Sequence, residues 1–176
     1  GVAAQLVVPA PRYYANLGVM LGTVDRAGYD ALCTDATAAS VTAAPQLSLV
    51  RPTKMVRAQL TSNVTWGIQT LRIPALWQKG LTGEGILVGH LDTGVDGNHP
   101  ALNAAIANFT QLDFLGREVN PTPKPFDTGE HGTHTAATIA GRPVSGNHVG
   151  VAPGATLASA IVIEGGNVIA RVLGGL

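Results

Sequence analysis

The sequence predicts an α/β fold, with a doubly wound parallel sheet in its second part and a small α+β unit before it. Two nearly continuous apolar runs, at 86–92 and 154–163, are typical of parallel strands that are covered on both faces. A run of small residues with helical character lies between them, at 131–142. Strands that alternate with helices indicate a doubly wound parallel sheet.

Length and charge narrow the class of protein. The chain has 176 residues, with 11 basic and 11 acidic side chains and a pI of about 7.1. Such a balance gives no electrostatic footprint for nucleic acid or an anionic membrane, so neither is an expected partner. No apolar stretch reaches the roughly 18 residues that a membrane-spanning helix needs. The single cysteine, Cys33, excludes an internal disulfide framework and a cysteine-based zinc cluster.

The first part predicts a small α+β unit. Residues 5–8 and 17–24 have the pattern of strands, and residues 25–35 have the pattern of a short amphipathic helix. Residues 40–50 predict a strand pair that is interrupted at Pro45. About fifty residues bury little surface, so we expect this unit to need contact with a partner for its stability. The segment after it, 51–63, is interpreted as an exposed linker.

The second part alternates regularly between strands and helices. Its elements are predicted in chain order as a short helix that ends at Gly80 in a left-handed conformation, a turn at 81–85, strands at 86–92 and 107–114, a proline-rich loop at 120–130, a helix at 131–142, a strand at 154–163 and a helix from 167.

Two side chains in the second part are candidates for chemistry. Asp92 ends the first apolar strand, and sites in open α/β sheets form at the carboxyl ends of strands. Capping of the following turn is the alternative role for this aspartate. His131 begins the small-residue helix, where the helix dipole disfavours an imidazolium ion unless a carboxylate lies beside it. The alternative for this histidine is a satisfied buried imidazole.

Three motifs in order carry a resemblance to a known family. "HLDTGVDGNHP", "HGTHTAATIAG" and "GVAPGATL" together resemble the subtilisin-like serine proteases, the subtilases, from about Val64 to Leu176. The resemblance implies that Asp92 orients the histidine and that His131 acts as general base and then as general acid. It also implies a serine nucleophile further along the parent polypeptide, beyond these 176 residues, because the family's order is aspartate, histidine, serine.

The same resemblance assigns roles to other residues. Glu164, Gly165 and Gly166 match the edge segment that pairs with the substrate backbone, so polypeptides are the expected substrates. His134 and His99 are implied to be structural. His90 stands where the family usually has an apolar side chain, and the sequence indicates no function for it.

Residues 1–60 resemble the subtilase pro-domain, and residues 61–176 resemble the amino-terminal portion of the catalytic domain. Their alignment places a processing junction at Leu60 and Thr61. The resemblance therefore implies a zymogen that processes itself, with the pro-domain tail held in the cleft as an inhibitor. A pro-domain also suggests export, so we expect a secreted, extracellular enzyme.

Two departures from the family pattern matter. The acid after "HP" that binds calcium in the family is replaced by Ala101, so we expect no required cofactor and a doubtful calcium site. No Gly-Thr-Ser block occurs in the 176 residues. We therefore expect the serine and the oxyanion-binding asparagine in a missing carboxyl-terminal part, and we expect this chain alone to be inactive.

Two other functions stay open from the residues. One is a metal-dependent hydrolase that uses His131, His134 and a carboxylate, although no His-Glu-x-x-His motif is present. The other is a non-catalytic inhibitor or binding module in which the pro-domain carries the activity.

Overall fold

The computed structural model describes residues 10–49 and 63–176. They fall in two compact units, one within Gly1–Leu47 and one within Ser48–Gly175. Three sequence predictions lie wholly or largely outside the described residues. They are the strand at 5–8, the linker at 51–63 and the processing junction at Leu60 and Thr61. Across the described ranges, no helix is long and apolar enough to cross a bilayer.

The first unit combines a small hairpin with one helix. Strands β1 (Arg12–Tyr14) and β2 (Val19–Leu21) pair antiparallel. Helix α1 (Arg26–Thr34) follows, and the Asp25 carboxylate caps its start by accepting a hydrogen bond from the amide of Gly28 at 2.8 Å. The predicted helix at 25–35 and the α+β character of this unit are thus confirmed. The chain's cysteine, Cys33, is exposed on α1.

The predicted strand pair at 40–50 is wrong. Residues 40–49 form no strand, and residues 42–48 are exposed. Strands persist only when their backbone groups are paired and one face is covered, and Pro45 has no amide hydrogen to offer to a ladder. Strand β1, which is only three residues long, was not predicted.

The second unit begins with two short helices. These are α2 (Trp66–Thr70) and α3 (Pro74–Trp77), and Pro74 occupies the first helical turn, where its missing amide costs nothing. Gly80 has a φ of +77°, which confirms the predicted left-handed residue after the helix.

A three-stranded parallel sheet forms the centre of this unit. Its strands are β3 (Leu87–Asp92), β4 (Ile106–Gln111) and β5 (Thr156–Ile161), in the order β3-β5-β4. Helix α4 (His131–Ala140) precedes β5, and α5 (Val168–Gly175) follows it. The register places Asp92 and Gln111 both opposite Ile161, so the carboxyl ends of the three strands share one edge. The predicted α/β class and its parallel sheet are confirmed.

Small side chains on α4 let the helix pack closely on the sheet. Ala136 and Ala140 are fully buried and belong to one core cluster with Val95, Leu102 and Leu157. Because an alanine face keeps the helix near the strands, the start of α4 is carried towards the carboxyl end of β3.

The start of β3 differs from its prediction. Ile86 and Leu87 are each 56% exposed, so the expected cover on both faces is wrong for this half of the strand. β3 is an edge strand of the sheet and pairs only with β5 within the described ranges. In the second half of the strand, His90 and Asp92 are buried, at 4% and 7% exposure.

Candidate active site

The two predicted site residues Asp92 and His131 lie in direct contact. Nδ1 of His131 lies 2.8 Å from Oδ1 and 3.0 Å from Oδ2 of Asp92. Asp92 ends β3 and His131 begins α4, so two elements separated along the chain supply the pair. The aspartate side chain is 10% exposed and the histidine side chain is 30% exposed. The carboxylate of Asp92 is thus almost fully shielded from solvent, whereas the ring of His131 is partly accessible.

Both oxygens of Asp92 accept further hydrogen bonds. The amide of Thr93 donates to Oδ1 at 2.7 Å, and the hydroxyl of Thr135 lies 3.0 Å from Oδ2. The turn-capping role that was left open for Asp92 is therefore present together with the contact to His131. Because the carboxylate of Asp92 is the acceptor, Nδ1 of His131 carries the hydrogen that it donates. Nε2 of the same ring is left with its lone pair. The arrangement can take up a proton at Nε2.

Asp127 organises the loop before α4, and sequence reasoning missed it. Its Oδ1 accepts from the Thr93 hydroxyl at 2.7 Å and from the Gly129 amide at 2.9 Å. Its Oδ2 accepts from the amide of Thr133 at 2.6 Å and from the hydroxyl of the same residue. The Gly132 amide in turn donates to the Thr93 hydroxyl at 2.9 Å. One carboxylate therefore ties the end of β3 to the first turn of α4.

Burial and hydrogen bonding have opposite effects on the pKa of Asp127. Burial raises the pKa of Asp127, but hydrogen bonds from Thr133, Thr93 and Gly129 outweigh it and leave the pKa below its ordinary value. The carboxylate is thus ionised at neutral pH and favourably placed at a helix start. An aspartate four residues before a predicted helix is the sequence signal that could have identified this role.

His90 lies behind the Asp92–His131 pair. It is 4% exposed, and its Nε2 lies 3.9 Å from Oδ2 of Asp92. Burial lowers the pKa of His90, against the opposing effect of Asp92 and Asp127 and with a small contribution from His131. His90 and Asp92 are two residues apart on a strand, so their side chains point to the same face. That spacing could have indicated proximity, although the sequence analysis gave His90 no function.

The predicted substrate-edge residues follow β5. Glu164 is half-buried, and its Oε2 accepts from the Gln111 side-chain amide at 3.1 Å. Gly165 and Gly166 are exposed, and Gly165 has a φ of +63°. They lie beyond the carboxyl end of β5, at the same sheet edge as Asp92.

The other predicted residues have separate surroundings. His134 lies on the wall of a groove with Trp66 and Asp96, away from the carboxylate that His131 contacts. His99 receives a hydrogen bond at Nδ1 from the amide of Ala101 at 3.2 Å, which is a turn contact. Ala101 is 1% exposed, and its methyl group offers no oxygen to a cation. Among residues 10–49 and 63–176, no group of three His, Cys, Asp or Glu side chains is arranged to hold a metal ion.

Comparison with known proteins identifies the class to which this fold and site belong. The family model of the subtilases matches residues 83–170, which is 88 of the 176 residues and contains both Asp92 and His131. The chain belongs to the subtilase family.

Several characterised relatives are similar to the same region. The major intracellular serine protease of Bacillus subtilis (strain 168) is 41% identical over 104 residues, which are 57% of this chain and 31% of that protein. Subtilisin E of the same strain is 36% identical over 106 residues, 60% of this chain and 26% of the relative. The minor extracellular protease Vpr is 41% identical over 107 residues, 54% of this chain and 13% of the relative. The chain thus spans less than a third of each.

A solved structure of proteases from Pseudoalteromonas arctica is 26% identical and superposes with a TM-score of 0.42, over 53% of this chain and 33% of the other.

Proposed function

We propose that this chain is the amino-terminal part of a subtilisin-like serine endopeptidase precursor, in which Asp92 and His131 are two members of the catalytic triad. The hydrogen bond from Nδ1 of His131 to Asp92, at 2.8 Å, is the observation that carries this proposal. It fixes the tautomer that leaves Nε2 free to act as a base. The third member, a serine, lies outside this chain.

The site's chemistry follows from that tautomer. Nε2 of His131 takes the proton of the serine hydroxyl as the oxygen attacks a peptide carbonyl carbon. The imidazolium then gives this proton to the departing amine, and the peptide carbon–nitrogen bond breaks. Asp92 stays ionised throughout and stabilises the positive charge on the ring. Water releases the acyl group by the same sequence of proton transfers.

Polypeptides are the proposed substrates. Gly165 and Gly166 are exposed beyond β5, where an extended peptide can add its backbone hydrogen bonds to the edge segment. Glu164 is restrained by the Gln111 amide, so we assign it to shaping this segment. The choice among substrate side chains then depends on pockets that the proposed carboxyl-terminal part of the catalytic domain supplies.

Residues 1–60 are the proposed pro-domain, and Leu60–Thr61 the proposed cleavage junction of a self-processing zymogen. The described part of this segment, within a compact α+β unit of its own, supports a separable module. Its tail would occupy the cleft as an inhibitor. We propose that the enzyme is secreted. The relatives include both extracellular and intracellular proteases by name.

No cofactor is proposed for catalysis. At the position of the family's acidic calcium ligand, the buried methyl group of Ala101 does not fit a cation. The metal-hydrolase alternative is disfavoured because His134 lines a groove that includes neither His131 nor Asp92.

Peptide hydrolysis by the complete polypeptide that carries this chain tests the proposal. Subtilisin itself sets the expected scale: removal of the histidine lowers kcat about 10⁶-fold, and loss of the aspartate about 10⁴-fold. We expect His131→Ala and Asp92→Asn to match these losses, with labelling by a serine-directed fluorophosphonate reduced in parallel. Asp113→Asn is the matched control, since this carboxylate pairs with Arg117 in an exposed turn. Full activity in Asp92→Asn would refute the proposal.

A further inference from the structure

Two buried polar side chains and one half-buried hydroxyl meet behind the Asp92 carboxylate. His90 on β3 and Ser159 on β5 are register partners in the sheet and are 4% and 2% exposed. Nδ1 of His90 lies 2.9 Å from the Ser159 hydroxyl, and Nε2 lies 2.9 Å from the Thr135 hydroxyl on α4. Burial of such groups is costly unless each is hydrogen-bonded, and these contacts satisfy both ring nitrogens. The cluster is thus a connected polar network inside an apolar region.

The hydroxyl of Thr135 has more acceptors within reach than it has hydrogens. It lies 3.0 Å from Oδ2 of Asp92 and 2.9 Å from Nε2 of His90. The carbonyl oxygens of His131 and Gly132 are 3.2 and 3.1 Å away. Because a hydroxyl donates only one hydrogen, the protonation of its neighbours decides which acceptor receives it.

The tautomer of His90 controls that choice. If Nε2 carries the hydrogen, it donates to Thr135, and the Thr135 hydroxyl is directed to Oδ2 of Asp92. If Nδ1 carries it, Nε2 needs a donor, and the same hydroxyl is drawn away from the carboxylate. A hydrogen bond to an ionised oxygen is roughly twice as strong as one between neutral groups, so the first arrangement is favoured.

We propose that Ser159, His90 and Thr135 form a hydrogen-bond chain that donates to Oδ2 of Asp92 and holds this carboxylate in place against His131. Each donor has one acceptor: Ser159 donates to Nδ1 of His90, Nε2 donates to Thr135, and Thr135 donates to Asp92. His90 is therefore a positioning residue that acts through Thr135. The effect of this hydrogen-bond chain on peptide hydrolysis rests on the proposed function, whereas the geometry of the hydrogen bonds does not.

Electrostatics agree with a neutral His90. Burial lowers the pKa of His90, and the charged or titratable groups that face it are Asp92 on β3, Asp127 in the loop before α4, and His131 on α4. A neutral ring at physiological pH carries a single hydrogen, which is the condition for the directed chain.

The first experiment observes the tautomer directly in this 176-residue chain. With ¹⁵N-labelled histidine, NMR at pH 7.5 distinguishes a ring nitrogen that carries hydrogen from one that does not, and His90→Gln assigns the signals. We expect His90 to carry its hydrogen on Nε2. A hydrogen on Nδ1 would overturn the proposal, whether or not the protein proves to be a protease, because Thr135 could then no longer donate to Asp92.

The second experiment measures coupling in the complete enzyme, from kcat and KM across pH. Thr135→Val is expected to lower kcat about tenfold with little change in KM, because it removes the hydrogen bond to a charged oxygen. His90→Leu removes only the donor that directs the Thr135 hydroxyl, so we expect a smaller but measurable loss of kcat. The double variant is expected to be no slower than Thr135→Val, since His90 acts on Asp92 only through the Thr135 hydroxyl. His90→Gln, which keeps an amide donor, should recover part of the rate.

Thr138→Val is the matched control. Its hydroxyl lies on the same helix but donates only to the His134 carbonyl in an exposed turn, so kcat should stay at the wild-type value. Circular dichroism confirms folding of each variant. Multiplicative losses in the double variant, or a wild-type kcat and pH profile in His90→Leu, would overturn the positioning role.

Discussion

Gly132 and Gly94 approach so closely that a Cβ atom on Gly132 would stand 2.0 Å from the Gly94 carbonyl oxygen. Gly94 lies two residues after Asp92, and Gly132 directly follows His131. The absence of a side chain at Gly132 therefore lets the start of α4 touch the end of β3, and this contact brings the acid and the base within hydrogen-bond reach.

Gly132→Ala should separate these two segments. We expect it to lower the free energy of unfolding by about 3 kcal/mol, because backbone atoms on both sides must shift to admit a methyl group. Denaturant unfolding followed by tryptophan fluorescence measures the loss. Gly89→Ala is the control, since no atom lies within 4 Å of its added Cβ. Equal stability of the two variants would show that the close approach is not a constraint.

Asp127→Asn should weaken the loop that presents His131. The variant keeps the shape of the side chain but loses the ionised oxygens that accept from Thr133 and Thr93, at an expected cost of about 1–3 kcal/mol. Chemical unfolding at pH 7 checks this value. Asp30→Asn, in an exposed pair with Arg26 on α1, is the control and should change stability much less.

The same carboxylate predicts a response to acid. The folded-state pKa of Asp127 lies below its ordinary value near 3.8, so its contribution to stability is complete above that value and is lost as pH falls through the folded pKa. Wild-type protein should therefore lose its stability advantage over Asp127→Asn below about pH 4. A constant difference between the two proteins from pH 7 to pH 2.5 would contradict this assignment.

His90 predicts a second pH effect with its own window. Its folded-state pKa is lowered from 6.5, so the unfolded chain binds more protons below that value, and stability must fall as pH decreases through it. Wild-type melting temperatures should therefore drop as the pH falls below about 6.5. In His90→Leu this slope should be smaller, with the two proteins compared at pH 8 as reference. An unchanged slope would place the titration elsewhere.

The proposed function predicts that the isolated 176-residue chain hydrolyses no peptide, because the proposal assigns the serine that His131 activates to another part of the precursor. Added to an active subtilisin, it should inhibit at nanomolar concentration if residues 1–60 act as a pro-domain. Fluorogenic peptide assays measure both effects. The inhibitor alternative predicts that the complete polypeptide is also inactive, so activity of that longer protein separates the two functions.

Local pattern was sufficient for the elements with strong periodicity. The apolar run at 86–92, the small-residue run at 131–142 and the left-handed Gly80 all correspond to observed features. Strand β1 was missed because three residues carry no measurable period. The strand pair at 40–50 was wrong because the residues lack a covering face, which is a tertiary property.

The site was predictable only in its two principal residues. Asp92 and His131 stand at element boundaries that the pattern and the family motifs mark. The contacts of Asp127 join Thr93, directly after β3, to the start of α4, and those of His90 join three separate elements. Such contacts depend on how the elements pack, so no single stretch of sequence contains them.

Cys33 gives the chain one chemically addressable position. It is exposed on α1, in the unit before the proposed junction, whereas both tryptophans, Trp66 and Trp77, follow that junction. A maleimide dye on this thiol would thus label one product of maturation and indole fluorescence the other. If the precursor is cut at the proposed junction, the two signals separate on a sizing column run in denaturant, which releases a pro-domain held in the cleft.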